Sequence, residues 1–202
     1  NATVSKLIFE DKKCVGVKFF KHGKEKFIKA AKEVILSGGA VNSPHILQVS
    51  GIGPSDHLMN IGINVVHHLP GVGANLQDHY VARVSHRVRH AKSINSLSRG
   101  TNLLKEIATW AFSGKGALTF GVTSAMVFSR SREGLSSPDL QLLFTPASYS
   151  ERTLGKLEQE DGMTVAVCPV RPASRGTIMA VSSDPFVRPE IRPNYLSDPD
   201  DV

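Results

Sequence analysis

From Ala2 to Glu10 and again from Lys13 to Phe20, apolar and polar positions alternate with the two-residue period of a half-buried strand. Asp11-Lys12 supplies the turn between them, and Lys26–Ile28, after His22-Gly23, extends the pattern to a third short strand. Glu33-Val34-Ile35-Leu36-Ser37 reads differently, as a compact apolar run of the buried-strand type. It enters Gly38-Gly39-Ala40, and a helix is expected from Asn42-Ser43-Pro44, with Asn or Ser as cap and Pro in the first turn. Ile46, Leu47 and Val49 would form its apolar face, and Ser50-Gly51-Ile52-Gly53-Pro54 would stop it. A short helix through Asp56–Asn60 and a strand over Asn64–Leu69 follow, then a turn or close backbone approach at Gly71-Val72-Gly73.

The pattern changes near Asp78–Tyr80, which places a boundary between residues 1–79 and 80–202. Beyond it, Tyr80–His90 alternates as an exposed strand. Leu103, Leu104, Ile107, Ala108 and Ala111 recur at helical spacing, which predicts an amphipathic helix over Thr101–Phe112. Strands are expected at Val122–Phe128, Leu140–Thr145 and Met163–Val170, and a hairpin through Gly176–Val181 and Phe186–Arg192. The polar stretch Ala147–Gly162 reads as a mobile loop. The whole is expected to be α+β with two lobes: strands and helices with tight glycine turns first, antiparallel strands with a helix second.

Composition narrows the chemistry. The 202 residues suffice for a real apolar core, and the formal charge of +6, from 24 Lys+Arg against 18 Asp+Glu, is modest. Six Lys/Arg and no acid lie between Arg83 and Lys105, but no aromatic side chains interleave them for base stacking, so no nucleic-acid partner is expected. Cys14 and Cys168 sit in strand-like runs where a small buried hydrophobe fits, and the pair does not make a disulfide framework. His67-His68, adjacent on a strand, would point to opposite faces, and Asp198, Asp200 and Asp201 read as a solvated turn, so no metal site is expected. No apolar run approaches the ~20 residues of a membrane helix. Asn1-Ala2-Thr3 fits a glycosylation sequon. The chain opens inside a strand pattern and closes on a polar run, and it is expected to be an internal piece of a longer protein.

One string carries more information than the rest. Gly39-Ala40-Val41-Asn42-Ser43-Pro44-His45-Ile46-Leu47-Gln48-Val49-Ser50-Gly51-Ile52-Gly53 joins an apolar run to a helix through small residues. Such a turn lets a ligand approach the backbone, and the helix N-terminus offers free N–H groups and a positive dipole end. A plain strand–helix junction would read the same way on physics alone. The string nevertheless resembles the second signature of the glucose–methanol–choline (GMC) oxidoreductases at every constrained position. Thr3-Val4-Ser5, Val15-Gly16-Val17, the segment Leu69–His79 and, near the other end, Ala173–Thr177, Asp184-Pro185-Phe186 and Pro193–Asp198 resemble further family segments. The likeness is weakest over residues 90–165.

The resemblance implies an FAD-dependent oxidoreductase acting on the CH–OH group of a small-molecule alcohol, of the choline dehydrogenase kind. It implies that Val4 and the turn Ser37, Gly38, Gly39 and Ala40 line the adenosine end of FAD. Residues 1–79 would then be the later part of an FAD-binding lobe, and 80–202 a substrate lobe with the start of the C-terminal region. The family's opening GxGxxG turn matches nothing here: after Gly51-Ile52-Gly53 and Gly71-Val72-Gly73 the third glycine would fall on Asp56 and Leu76. No residue matches the family's catalytic His or its partner, and His79 belongs to a different family segment. The chain is therefore expected to be inactive alone and to associate with the remainder of its protein or with itself. A non-catalytic binding module on the same scaffold is the alternative.

Overall fold

The computed structural model describes residues 2–150, 153 and 155–202; Asn1, the sequon acceptor, lies outside them. In chain order the elements are strands β1 (Thr3–Glu10), β2 (Lys13–Lys21) and β3 (Lys24–Lys29), helix α1 (Gly39–Val49), β4 (Ile52–Gly53), α2 (Ser55–Asn60), β5 (His67–His68), β6 (Ala82–Arg87), α3 (Ile94–Leu97), α4 (Gly100–Ser113), β7 (Ala125–Ser129), β8 (Leu140–Thr145), β9 (Gly162–Pro169), β10 (Thr177–Met179) and β11 (Glu190–Arg192). The chain is mixed helix and sheet, α+β as expected. Asn1–Asp78 with Ala173–Val202 forms one compact unit, and His79–Pro172 forms the other. Residues 173–202, expected with the second lobe, thus pack with the first 78.

In the first unit, β1, β2 and β3 form an antiparallel meander in that order. Asp11, at φ 53°, makes the tight turn between β1 and β2. The β1–β2 register shifts between Val4 and Lys6, leaving Ser5 as a bulge. Strict alternation would set Val4 and Leu7 on opposite faces. The bulge restores them to one face, because Val4 pairs with Phe19 while Leu7 pairs with Val17, two residues away. Leu7 and Val15 are buried, and α1 packs against β1. β4 and β5 form a short parallel pair, and β10 and β11 an antiparallel one.

A single side chain ties α1 to the C-terminal segment. Gln48 has no solvent exposure. Its Nε2 donates to Ile178 O at 2.9 Å, and its Oε1 accepts from Ala180 N at 2.7 Å. The amide thus acts as one rung of an extra strand beside β10. Ile178 N in turn donates to Gly73 O at 2.7 Å. Gly73, at φ 85°, must be glycine: a Cβ there would strike Ile178 O and lie 2.5 Å from Gln48 Nε2. His57 Nε2 completes the coverage of Ala180 by bonding its carbonyl at 2.8 Å. At the end of α1, Ser50 Oγ donates to Ile46 O at 2.5 Å and accepts from Leu7 N at 2.8 Å, locking the helix to β1.

Three expectations fail here. Glu33–Ser37 is not a buried strand: it has no strand pairing, and Ile35 is 79% exposed. Among the described residues no strand lies beside it to bury it. The buried face of α1 is His45, Gln48 and Val49 rather than Ile46, Leu47 and Val49, because the Gln48 amide finds partners that an apolar side chain could not supply. The expected strand over 64–69 shrinks to His67–His68, and the residues before it loop back so that Val66 N and His67 N both donate to Gly51 O.

The second unit is a four-stranded antiparallel sheet in the order β6-β9-β8-β7. Along β9, Gly162, Thr164, Ala166 and Cys168 point inward. The centre is polar. Asn95 is fully buried and donates to Ser148 O at 2.9 Å and Glu158 O at 3.0 Å, while its Oδ1 accepts from Ser148 N at 3.0 Å. Asp161 accepts from the hydroxyl of Ser93 at 2.7 Å and its backbone N–H at 2.8 Å, and these bonds hold its pKa down to about 2. The stretch expected as a mobile loop therefore begins on buried Ala147 and Ser148 and ends on a carboxylate that anchors α3. Residues 151, 152 and 154 of that stretch lie outside the described set.

Helix α4 forms where expected, yet it turns its apolar stripe outward. None of its residues is buried; Leu104 is 67% exposed, while Asn102, Leu103 and Glu106 are half-buried. Its inward anchor is polar, with Glu106 Oε2 accepting from Ala117 N at 2.7 Å. Every residue of β7 is exposed as well. The whole chain leaves 13873 Å² accessible, against about 11,000 Å² for two separate compact domains of these lengths.

Replacing Gln48 by Ala orphans the Ala180 N–H and the Ile178 carbonyl and opens a cavity. We expect it to cost about 2–4 kcal/mol, read as a lowered urea midpoint for the first unit. A midpoint within error of the parent chain would show that the amide link holds nothing together.

Candidate functional site

The turn Ser37–Ala40 is exposed throughout and delivers the chain into α1. The helix starts three residues earlier than the sequence suggests. Gly38 occupies the cap position with no side-chain cap, and Pro44 lies inside the helix. Ser43, expected as the cap, instead accepts from Gly38 N at 3.0 Å from within the first turn. That bond folds the turn over the helix end and satisfies one of its donors. The next N–H groups of the opening turn have no side-chain acceptor, and no acidic residue sits in that turn. An uncapped, exposed helix N-terminus of this kind presents donors and a partial positive charge to whatever lies in front of it.

The two glycines have different reasons to be glycine. Gly39 opens α1 at φ 81°, with open space where a Cβ would stand; its constraint is conformational. At Gly38 a Cβ would come within 3.2 Å of Asn42 Cβ and 3.3 Å of Ser43 N, so its constraint is the close fold of the turn. Val4 is half-buried on β1, the strand against which α1 packs. The expected residues therefore fall on two neighbouring elements of one unit, with Val4 turned by the bulge at Ser5 onto the face that Leu7 shares.

Two polar atoms beside this region were not singled out in the sequence. His45 on α1 is 7% exposed and Ser5 on β1 is 6% exposed; His45 Nε2 and Ser5 Oγ have no hydrogen-bond partner. Burial lowers the His45 pKa and so favours the neutral ring. His45 occupies a position of the glycine-to-glycine string that reads as unconstrained, and a lone Ser in an alternating strand carries no signal. Gln48 was equally silent, because a polar residue among apolar neighbours reads as the solvent side of a helix.

His79 is held by structure. Its Nε2 bonds Val170 O at 3.1 Å, and its Nδ1 lies 3.8 Å from the sulfur of Cys168, whose burial raises the thiol pKa. Asp201, expected in a solvated turn, accepts from Ala173 N and Ser174 N, each at 2.7 Å, and from the Ser174 hydroxyl, closing the C-terminal segment. Among the described residues, no cluster of three or more His, Cys, Asp or Glu is placed to hold a metal ion.

Residues 1–81 match the family model described as GMC oxidoreductase. The chain is 38% identical over 205 residues to human mitochondrial choline dehydrogenase, an alignment covering 98% of this chain and 33% of that protein. It is 40% identical over 200 residues to the oxygen-dependent choline dehydrogenase of Staphylococcus saprophyticus, covering 99% and 35%. Its fold superposes on crystalline formate oxidase with a TM-score of 0.86 at 26% identity, over 99% of this chain and 40% of that one. The chain thus spans about a third of the length of these curated relatives.

Gly39→Ala should destabilise the chain by about 1–2 kcal/mol, since a left-handed conformation is costly for an L side chain and no packing is gained in the open space. Denaturant unfolding checks this. An unchanged stability would mean that the turn is free to adopt another conformation.

Proposed function

We propose that the chain is part of a GMC oxidoreductase, the family whose model matches residues 1–81, and that it forms the adenosine end of an FAD site in an oxidoreductase acting on the CH–OH group of a small alcohol, of the choline dehydrogenase kind. The observation that carries this reading is the opening of α1: an exposed, uncapped helix N-terminus without acid, entered through a glycine with open space before it. An adenosine diphosphate moiety is anionic and rich in acceptors, and it fits free N–H donors at a positive dipole end. Val4, Ser37, Gly38, Gly39 and Ala40 are the residues assigned to hold it. When bound, FAD supplies the acceptor for hydride. Formate oxidase from Aspergillus oryzae, a solved structural relative, is described with FAD.

No residue of this chain is assigned the alcohol's proton. His79 is bonded to backbone and lies beside a buried thiol, and His45 is on the buried face of α1. On this reading the isolated chain binds the adenosine end weakly and oxidises no alcohol. The outward apolar stripe of α4 is a surface on which the rest of the polypeptide, or a second copy of the chain, would close.

Titrating the full chain into FAD, with flavin fluorescence and visible absorbance as readouts, tests the proposal. We expect saturable binding, competed by ADP and not by riboflavin, and no bleaching on adding choline or another small alcohol. A chain that binds neither FAD nor ADP would favour a non-catalytic module built on the same scaffold.

A further inference from the structure

The meander that carries Val4 is strongly basic. Residues 12–32 contain eight lysines, no arginine and a single carboxylate, Glu25. Lysines on a solvated sheet need no function, and on an edge strand such as β3 they discourage pairing with another chain. Their distribution between the two faces goes further than that. Val4 pairs with Phe19, and Phe19 pairs with Lys26, so these three side chains stand in one row on one face. Lys21 pairs with Lys24 on the same face, one step along. Glu25 pairs with Phe20 on the opposite face, where it meets Lys18 at 3.3 Å. Lys21, Lys24 and Lys26 are all exposed, and among the described residues none forms an ion pair with a carboxylate.

Lys26 stands two strand spacings from Val4, about 10 Å, close to the Debye length of about 8 Å at physiological salt. At that range an exposed lysine contributes little to holding a ligand but raises the local concentration of an approaching anion. Lysine suits this role because its ammonium is a mobile point charge without directional demands. We propose that Lys21, Lys24 and Lys26 steer the anionic diphosphate of an adenine dinucleotide onto the Val4 end of the sheet, so that cofactor capture depends on them and cofactor retention does not. The inference rests on the assignment of Val4 to the adenosine end of FAD.

Stopped-flow association of FAD with the full chain tests it, using K21Q/K24Q/K26Q and, as a charge-matched control on the opposite face, K6Q/K18Q/K29Q. We expect the first variant to associate about 3–10-fold more slowly at low salt, with a flattened dependence on ionic strength and a dissociation rate within about twofold of the parent. The control should stay nearer the parent. Equal slowing in both variants would reduce the effect to net charge and overturn the proposal, as would an unchanged association rate in the first. Absence of FAD binding in the parent chain is a different failure: it removes the adenosine-site reading itself, and the steering role with it.

Discussion

The first unit depends on one buried amide. Gln48 bonds α1 directly to Ile178 on β10 through its donor and to Ala180, just beyond that strand, through its acceptor. Around it, Gly53 lies 3.3 Å from its Cγ as judged from where a Cβ would stand, and Gly73 leaves room for its Nε2. The glycines of this region make space for a polar side chain. The consequence reaches the candidate site: the turn Ser37–Ala40 is the entry to a helix whose last turn is fixed to β1 by Ser50 and to Ile178 and Ala180 by Gln48.

The regular parts of this architecture were legible in the chain. Alternation located β1 and β2, strand-like apolar runs located β8 and β9, and helical spacing located α4. What could not be read was which surface each element covers. The run Val34-Ile35-Leu36 has the composition of an interior strand but, among the described residues, no neighbouring strand, so composition and environment disagree. Helix α4 has a proper apolar stripe, yet Leu104 and Ile107 face outward and its inward side-chain hydrogen bonds come from Asn102 and Glu106. Binary pattern reports what a segment can bury, and the partner that buries it need not lie within these residues.

The candidate site was legible for a different reason. Small residues between an apolar run and a helix mark a candidate close approach to backbone, and the longer string around them lies within the residues that match the GMC oxidoreductase model. Its mechanics were hidden. Ser43 reads as a cap and is instead a brace on Gly38. Val4 reads as one more alternating residue, and only the bulge at Ser5 sets its face. In the second unit, Asn95, Ser148 and Asp161 look like loop residues, because a polar residue that satisfies all its bonds internally has the same identity as one that faces water.

The Gln48 amide holds α1 against residues 178–180 and thereby steadies the turn at its N-terminus. Native-state hydrogen exchange at the Ala180 amide, whose acceptor is the Gln48 side chain, tests this most directly. Ala180 N–H should exchange as slowly as the strand amides of β1 and β2, through the same opening. Exchange of Ala180 at the rate of an exposed loop, while β1 and β2 remain protected, would contradict it.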